Sequence, residues 1–151
     1  MLKKIFFIIL LLNLLNHCEY KPVYSNQNKV NYKIIVTSFN GDKEINNLIA
    51  STIKRNNNES SNKTLNISFD TKYTKNILAK NAAGTITDYQ AEVITKFTIK
   101  KENNSESFSV NEKFNFKKMT DEYEEKNYER TIKKNLANSI SQKLILRLAV
   151  N

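Results

Sequence analysis

The segment AEVITKFTI, residues 91–99, alternates apolar and polar side chains with a period of two. A second run, LNISFDTKY at residues 65–73, and a third, FSVNEKFNF at residues 108–116, repeat this alternation. Successive side chains of a β-strand point to opposite faces of the sheet, so the period predicts strands that are buried on one face only. We therefore expect three long neighbouring strands with one apolar face and one wet face.

The registers of these strands are predicted by matching their apolar faces, because a slip of one residue would turn every apolar side chain outward. A loop over residues 102–105 places Phe97 opposite Val110. A loop over residues 80–84 places Phe97 opposite Ile67 on its other side. The two hairpins together predict an antiparallel meander.

Two helices are predicted to cover the apolar face of the sheet. The first begins after Asp42, a residue suited to capping, and carries apolar side chains at helical spacing. The second begins near Asp121 and Glu124, which have the spacing of a capping box. Its predicted apolar stripe is Tyr128, Ile132, Leu136, Ile140, Leu144 and Leu148, with Ala137 and Ile145 beside it. Its predicted solvent side is Glu125, Glu129, Lys133, Lys134 and Lys143.

A further short β-branched run at residues 32–37 precedes the first helix. The predicted element order is therefore β-α-β-β-β-α. We expect a single α+β domain over residues 32–151, with two helices packed on one face of a four-stranded, mostly antiparallel sheet.

Five lysines are predicted on the wet face of the sheet, and we call this surface the lysine face. Lysine keeps an exposed sheet soluble, but it also attracts anions, so this face is a candidate site for phosphates or for a protein partner. The formal net charge of +9 favours anionic partners. The abundance of Lys and Asn is equally typical of an AT-rich genome. The five residues are Lys72, Lys96, Lys100, Lys113 and Lys117. On the opposite, apolar face, Phe97 and Phe114 are predicted core residues.

Residues that carry catalytic or metal chemistry are scarce. His17 is the single histidine, Cys18 the single cysteine, and Gly41 and Gly84 are the two glycines. We therefore expect no catalytic site, no metal site and no glycine-rich phosphate loop. The strand phenylalanines fall on the apolar face, where they cannot also stack bases. The sequence predicts a protein that is not an enzyme, needs no cofactor and binds no nucleic acid.

The first residues have the pattern of a bacterial lipoprotein leader. Lys3 and Lys4 precede an unbroken apolar run over residues 5–12, and Cys18 follows shortly after. The run is too short for a membrane-spanning helix, which needs about 20 apolar residues. Gly, Ala or Ser usually precedes the acylated cysteine, and His17 departs from that pattern. We predict a signal peptide at residues 1–17, a covalent lipid on Cys18 and a tether at residues 18–31.

The stretch CEYKPVY, residues 18–24, resembles the start of mature LPS-assembly lipoproteins of the LptE family. Tyr20, Pro22 and Tyr24 match that pattern, and Glu19 replaces its usual Gly. The element order and the long final helix are also similar. The resemblance implies a lipid-anchored protein at the periplasmic face of the outer membrane. It also implies an LptD-like β-barrel as partner and a role as plug and assembly partner of that barrel in lipopolysaccharide transport. Tyr20 and Tyr24 are candidate partner contacts, or they cover the edge of the domain's own sheet.

Two other functions remain open at this point. One is a free, periplasm-facing lipoprotein that holds an amphipathic ligand between its helices and its sheet. The other is a structural surface lipoprotein with no transport role. The first requires an internal cavity, and the second requires neither a cavity nor a barrel partner.

We predict that Cys18→Ala leaves an uncleaved or soluble protein. One acyl chain anchors a protein only marginally, and the diacylglyceryl thioether expected on Cys18 supplies more than one chain. Intact-mass spectrometry of the membrane fraction checks this. An unmodified Cys18 in membrane-bound protein would contradict the prediction.

Overall fold

The computed structural model describes residues 30–101 and 104–150, and its elements follow the predicted order. The predicted leader, Cys18 and most of the predicted tether lie outside the described residues. Within those two ranges, no helix combines the length and the apolar character needed to cross a membrane. The elements are β1 (Lys33–Gly41), α1 (Lys43–Arg55), β2 (Thr64–Lys80), β3 (Ile86–Lys101), β4 (Asn104–Lys117) and α2 (Glu122–Val150).

The four strands form one mixed sheet in the order β1-β2-β3-β4. β1 and β2 pair in parallel, and α1 provides the crossover that a parallel pair requires. The β2–β3 and β3–β4 pairs are antiparallel hairpins. The predicted α+β fold, with two helices and a mostly antiparallel four-stranded sheet, is confirmed.

A row of four phenylalanines crosses the sheet in register and forms the centre of its apolar face. One comes from each strand, in the order Phe39, Phe69, Phe97 and Phe108. Successive ring centroids are 5.5, 5.6 and 5.4 Å apart, within the range in which aromatic rings attract one another. The two central rings are buried, and the two rings on the edge strands are partly exposed.

The helices bury their predicted stripes against this face. Ile45, Ile49 and Ile53 of α1 are buried in the core. In α2 the predicted stripe is confirmed from Ile132 onward, whereas Tyr128 is partly exposed and touches the core only by an edge contact to Phe116. The buried residues of α2 in this stripe are Ile132, Leu136, Ala137, Ile140, Leu144, Ile145 and Leu148.

The predicted register of the β2–β3 hairpin is wrong by two residues. Asn81 Oδ1 accepts hydrogen bonds from the backbone N–H groups of Ala83 and Thr85, at 3.0 and 2.9 Å. This side-chain turn fixes the loop one residue later than predicted, and Ile67 pairs with Ile99. The faces of the strands are unchanged, because a shift of two residues preserves the side to which each side chain points.

The predicted register of the β3–β4 hairpin is also wrong by two residues, since Phe97 lies opposite Phe108 and not Val110. Glu106 and Glu112 lie on the helix-facing side of β4 in either register, and the observed register pairs them with the apolar residues Ile99 and Val93 of β3. A prediction that pairs apolar side chains of neighbouring strands with one another rejects this register, because it places glutamates opposite apolar residues. Two ion pairs to α2 compensate for it, and they join Arg147 to Glu106 and Lys143 to Glu112.

The prediction that Phe114 belongs to the core is wrong. Its side chain faces the helices, opposite Ala91, but remains 40% exposed. It lies on β4, and no further strand of the described residues pairs with the outer side of β4. Phe97, on a central strand, is 0% exposed, as predicted.

Aspartates fix the start of both helices, as predicted. Asp42 Oδ1 accepts a hydrogen bond of 3.0 Å from the backbone N–H of Ile45. Asp121 Oδ1 accepts one of 3.0 Å from the N–H of Glu124. Each carboxylate satisfies an N–H group that the helix itself leaves without an acceptor.

The turn from β1 into α1 requires a glycine. Gly41 has a φ of +92°, and a Cβ at this position would lie 1.9 Å from the carbonyl oxygen of Thr71. The same carbonyl accepts a hydrogen bond of 3.0 Å from the Asp42 N–H, which holds the start of α1 against β2.

We predict that Phe97→Ala lowers the free energy of unfolding by about 3–5 kcal/mol, because it opens a cavity in a filled core. Phe114→Ala is the matched control, and we expect a loss of about 1 kcal/mol since that ring is partly solvated. Lys96→Ala should change the stability by no more than about 0.5 kcal/mol. Urea denaturation of the three variants measures these differences. Equal losses for the two phenylalanine variants would contradict the structure.

Candidate functional site

The five residues of the lysine face lie on the side of the sheet that faces away from both helices. Each of them has a strand neighbour that points toward the helices, and all five lysine side chains are exposed. Lys96 and Lys100 belong to β3, Lys72 belongs to β2, and the other two belong to β4. The sheet therefore brings together lysines that lie far apart in the sequence.

Carboxylates interrupt the lysine face. Asp70 is exposed and lies opposite Lys96 in the β2–β3 register. Glu92 Oε1 lies 3.2 Å from Lys113 Nζ and accepts a hydrogen bond of 2.9 Å from Asn111 Nδ2. The hydrogen bond from Asn111, followed by the one from Lys113, lowers the pKa of Glu92. The lysine face thus carries opposite charges on neighbouring strands, with more positive than negative groups. It is not uniformly cationic.

The remaining sequence-predicted site residues, Cys18, Tyr20 and Tyr24, lie outside the described residues. They remain predictions. In the two described ranges, no group of three or more His, Cys, Asp or Glu side chains is placed to hold a metal ion.

A second polar cluster lies between the sheet and α2, and the sequence analysis missed it. Lys75 Nζ donates to Glu125 Oε1 at 2.7 Å and to Glu129 Oε2 at 3.0 Å. The same ammonium group lies 4.2 Å from the ring centroid of Tyr89, over the aromatic face. Glu125 Oε2 accepts a further hydrogen bond of 3.0 Å from the N–H of Met119. One lysine of β2 therefore holds the first turns of α2 against the sheet.

The cluster continues across α2 to the start of α1. Tyr73 Oη donates to Glu129 Oε1 at 2.7 Å, and Lys133 Nζ lies 4.3 Å from the Tyr73 ring centroid. Lys133 also donates to Asp42 Oδ2 at 2.9 Å. Asp42 thereby caps α1 with one oxygen and pairs with α2 through the other. We call these six residues the interlayer network: Asp42, Tyr73, Lys75, Glu125, Glu129 and Lys133.

The interlayer network lowers the pKa values of two carboxyl groups, those of Glu125 and Asp42. Burial opposes the ionisation of Glu125, but the hydrogen bonds from Lys75 and from the Met119 N–H outweigh it and lower the pKa of Glu125. Burial likewise opposes the charge on Asp42, and the Ile45 N–H and Lys133 outweigh it, so that the pKa of Asp42 is also lowered. Both carboxylates are therefore held in their charged form in the folded protein.

Two other groups of the network, the ammonium of Lys75 and the phenol of Tyr73, have raised pKa values. Burial lowers the affinity of Lys75 for its proton, but the hydrogen bonds to Glu125 and Glu129 outweigh that effect and raise the pKa of Lys75. Burial, followed by the hydrogen bond to Glu129, raises the pKa of Tyr73 well above its ordinary value. Tyr73 is thus a neutral hydrogen-bond donor at all physiological pH values.

Glu125, Glu129 and Lys133 were predicted on the solvent side of α2, and this prediction is wrong for all three. The charged groups of these side chains point toward the sheet, because β2 supplies the ammonium group of Lys75 and the phenol of Tyr73 there. A signal for this existed in the sequence. Lys75 continues the odd-numbered series of β2 that points toward the helices, and its charge requires an acid on the facing helix.

Comparison with known proteins shows which proteins have a similar fold. No family model matches the chain, and no curated protein matches it. Solved structures do match. Rare lipoprotein B from Shewanella oneidensis aligns with a TM-score of 0.54 and 12% identity, over 73% of this chain and 93% of that one. A lipoprotein B from Nitrosomonas europaea aligns with a TM-score of 0.51 and 14% identity, over 81% of this chain and 87% of that one.

A minor lipoprotein from Acinetobacter baumannii aligns with a TM-score of 0.50 and 11% identity, over 73% of this chain and 93% of that one. The chain therefore has a fold that is found in bacterial lipoproteins. At this level of identity the likeness establishes the fold alone.

We predict that Lys75→Met lowers the free energy of unfolding by about 2 kcal/mol, because it leaves two partly buried carboxylates without their cation. Lys72→Met, on the same strand but exposed, is the matched control and should cost less than about 0.5 kcal/mol. Thermal and urea denaturation at neutral pH measure the difference.

The same pair of variants tests the pKa shift of Glu125. A carboxylate whose pKa is lowered by folding stabilises the protein above its unfolded pKa, and this stabilisation is lost as the pH falls through the folded value. The difference between the two variants should therefore be complete above pH 4.5, the ordinary pKa of a glutamate, and should shrink below it. A difference that is independent of pH down to pH 2 would refute this account.

Proposed function

We propose that this chain is an outer-membrane lipoprotein, anchored through a lipid on Cys18 at the periplasmic face. We further propose that it acts as plug and assembly partner of an LptD-like β-barrel in lipopolysaccharide transport. The observation that carries the first part is the shared fold with bacterial lipoproteins, together with the leader and Cys18 of this sequence. The second part rests on the resemblance of residues 18–24 to the LptE family and on the physical arguments below.

The packing of the domain favours action through its surface. The space between the helices and the sheet is filled by side chains that are essentially inaccessible, among them Phe97, Ile140 and Leu144. An amphipathic ligand would have to displace this core. The packing therefore argues against a lipoprotein that holds a ligand between its helices and its sheet.

The exposed surface offers two features to a protein partner. The lysine face presents cations in a regular cross-strand pattern, with Ile94 partly exposed among them. At the far end of the β2–β3 hairpin, Ile77 and Leu78 are 52% and 48% exposed. Adjacent exposed apolar residues of this kind are typical of interaction sites. A lipid anchor would hold both features at high effective concentration near a membrane partner, so that even a modest interface would stay occupied.

Co-purification in gentle detergent tests the proposal. The full-length protein, tagged at its C-terminus and expressed in its native cell, is expected to recover a large outer-membrane barrel. Depletion of the protein should lower the amount of assembled barrel and of surface lipopolysaccharide, while periplasmic enzyme activities stay unchanged. No recovered barrel, combined with normal barrel assembly after depletion, would refute the barrel partnership.

A matched pair of double variants locates the contact. Lys96→Glu with Lys113→Glu reverses two charges on the lysine face, and we expect several-fold lower barrel recovery. Lys126→Glu with Lys134→Glu makes the same change in net charge on the exposed side of α2 and should leave recovery unchanged. Equal losses from both pairs would show that the lysine face is not the specific contact.

A further inference from the structure

Several chain segments meet at the end of the domain where the described chain begins, and we call this the entry end. Lys33, at the start of β1, pairs with Thr64 at the start of β2, and its N–H donates to the carbonyl of Lys63 at 2.8 Å. The β3–β4 hairpin closes at the same end, where Lys101 pairs with Asn104. The last turns of α2 reach it through Arg147.

A shallow cavity of about 300 Å³ opens at the entry end. Lys63 and Lys101 line it, together with Tyr32, Asn62, Thr64, Leu65 and Asn104. Lys101 Nζ lies 5.8 Å from the Tyr32 ring centroid. The described lining residues combine two lysines with amide and hydroxyl side chains and include no carboxylate. Glu102, which follows Lys101 in the sequence, lies outside the described residues. Such a donor set is suited to a phosphate, which offers only acceptors and a negative charge.

The surroundings of this cavity are cationic as well. Lys33 and Lys100 are exposed within one or two strand positions of it. Glu106, on β4 at the same end of the domain, pairs with Arg147. Leu146, 55% exposed, lies beside that ion pair and adds an apolar side chain to the same end. A basic surface with an exposed aliphatic residue is complementary to the headgroup region of an anionic bilayer.

The position of the proposed anchor makes this complementarity relevant. Residues 18–30 span at most about 40 Å when fully extended. A lipid on Cys18 would therefore keep the entry end within that distance of the membrane, whereas the tip of the β2–β3 hairpin lies at the opposite end of the strands. Tethering of this kind raises the effective concentration of the surface that faces the headgroups.

We propose that the entry end docks on anionic phospholipid headgroups, with a headgroup phosphate held between Lys63 and Lys101. This inference rests on the anchoring at Cys18 that is part of the proposed function. Docking fixes the orientation of the domain, so that the β2–β3 hairpin points away from the membrane.

Flotation with lipid vesicles tests the docking without any barrel and without the acyl chain. The protein used is the chain from residue 18 onward with Cys18→Ser, so that binding comes from the protein surface alone. We expect it to bind vesicles of phosphatidylglycerol and phosphatidylethanolamine and to dissociate from them as the salt concentration is raised. It should not bind vesicles of phosphatidylcholine. Each lysine close to an anionic surface strengthens binding about fivefold, so Lys63→Gln with Lys101→Gln should weaken it more than tenfold.

The matched control is Lys96→Gln with Lys113→Gln, which removes the same charge from the middle of the lysine face and should weaken binding no more than about twofold. Equal losses from both pairs would overturn the specific site, and so would full displacement by inorganic phosphate at millimolar concentration. Absent binding to the anionic vesicles would overturn the docking itself. Unchanged melting temperatures would show that all variants fold. A lack of vesicle binding would not contradict the barrel partnership, which the co-purification tests. A lack of barrel recovery would not contradict the docking on headgroups, which the vesicles test.

Discussion

Burial of the odd-numbered side chains of β2 and β3 beneath two helices is the constraint on which the rest of the structure depends. These strands are central in the sheet, and their inward side chains include Phe69 and Phe97 of the phenylalanine row. A four-stranded sheet with a single apolar face needs one covering layer, and α1 and α2 provide it. The opposite face is left to solvent, so the lysine face is a direct consequence of the same alternation.

Charged residues inside the covering layer determine how the layers align. Lys75 binds two glutamates of α2, and Lys133 of α2 reaches the aspartate that caps α1. These contacts are partly buried, so each group would be costly to leave without its partner. The interlayer network therefore specifies one arrangement of helices on the sheet, where apolar packing alone would tolerate several. The ion pairs of Glu106 and Glu112 with α2 have the same effect on the register of β4.

The domain has distinct surfaces at its two ends and on its open face. The entry end is basic and carries a shallow cavity lined in part by Lys63 and Lys101, the far hairpin is apolar at Ile77 and Leu78, and the open face alternates lysines with carboxylates. A domain with a filled core and differentiated surfaces is suited to orienting itself between a membrane and a partner. The proposed function and the proposed docking surface both follow from this distribution.

The sequence by itself determined the element order, the faces of the strands and the helix starts, because periodicity and capping are local properties of the chain. It also identified all five residues of the lysine face. Only the tertiary structure decided the two registers, the exposure of Phe114 and the interlayer network. The registers depend on Asn81, which fixes one loop, and on α2, whose cations accept Glu106 and Glu112 on the apolar side of β4. Apolar matching between neighbouring strands cannot detect such partners, because the compensating charges come from a helix packed across the sheet and distant in the chain.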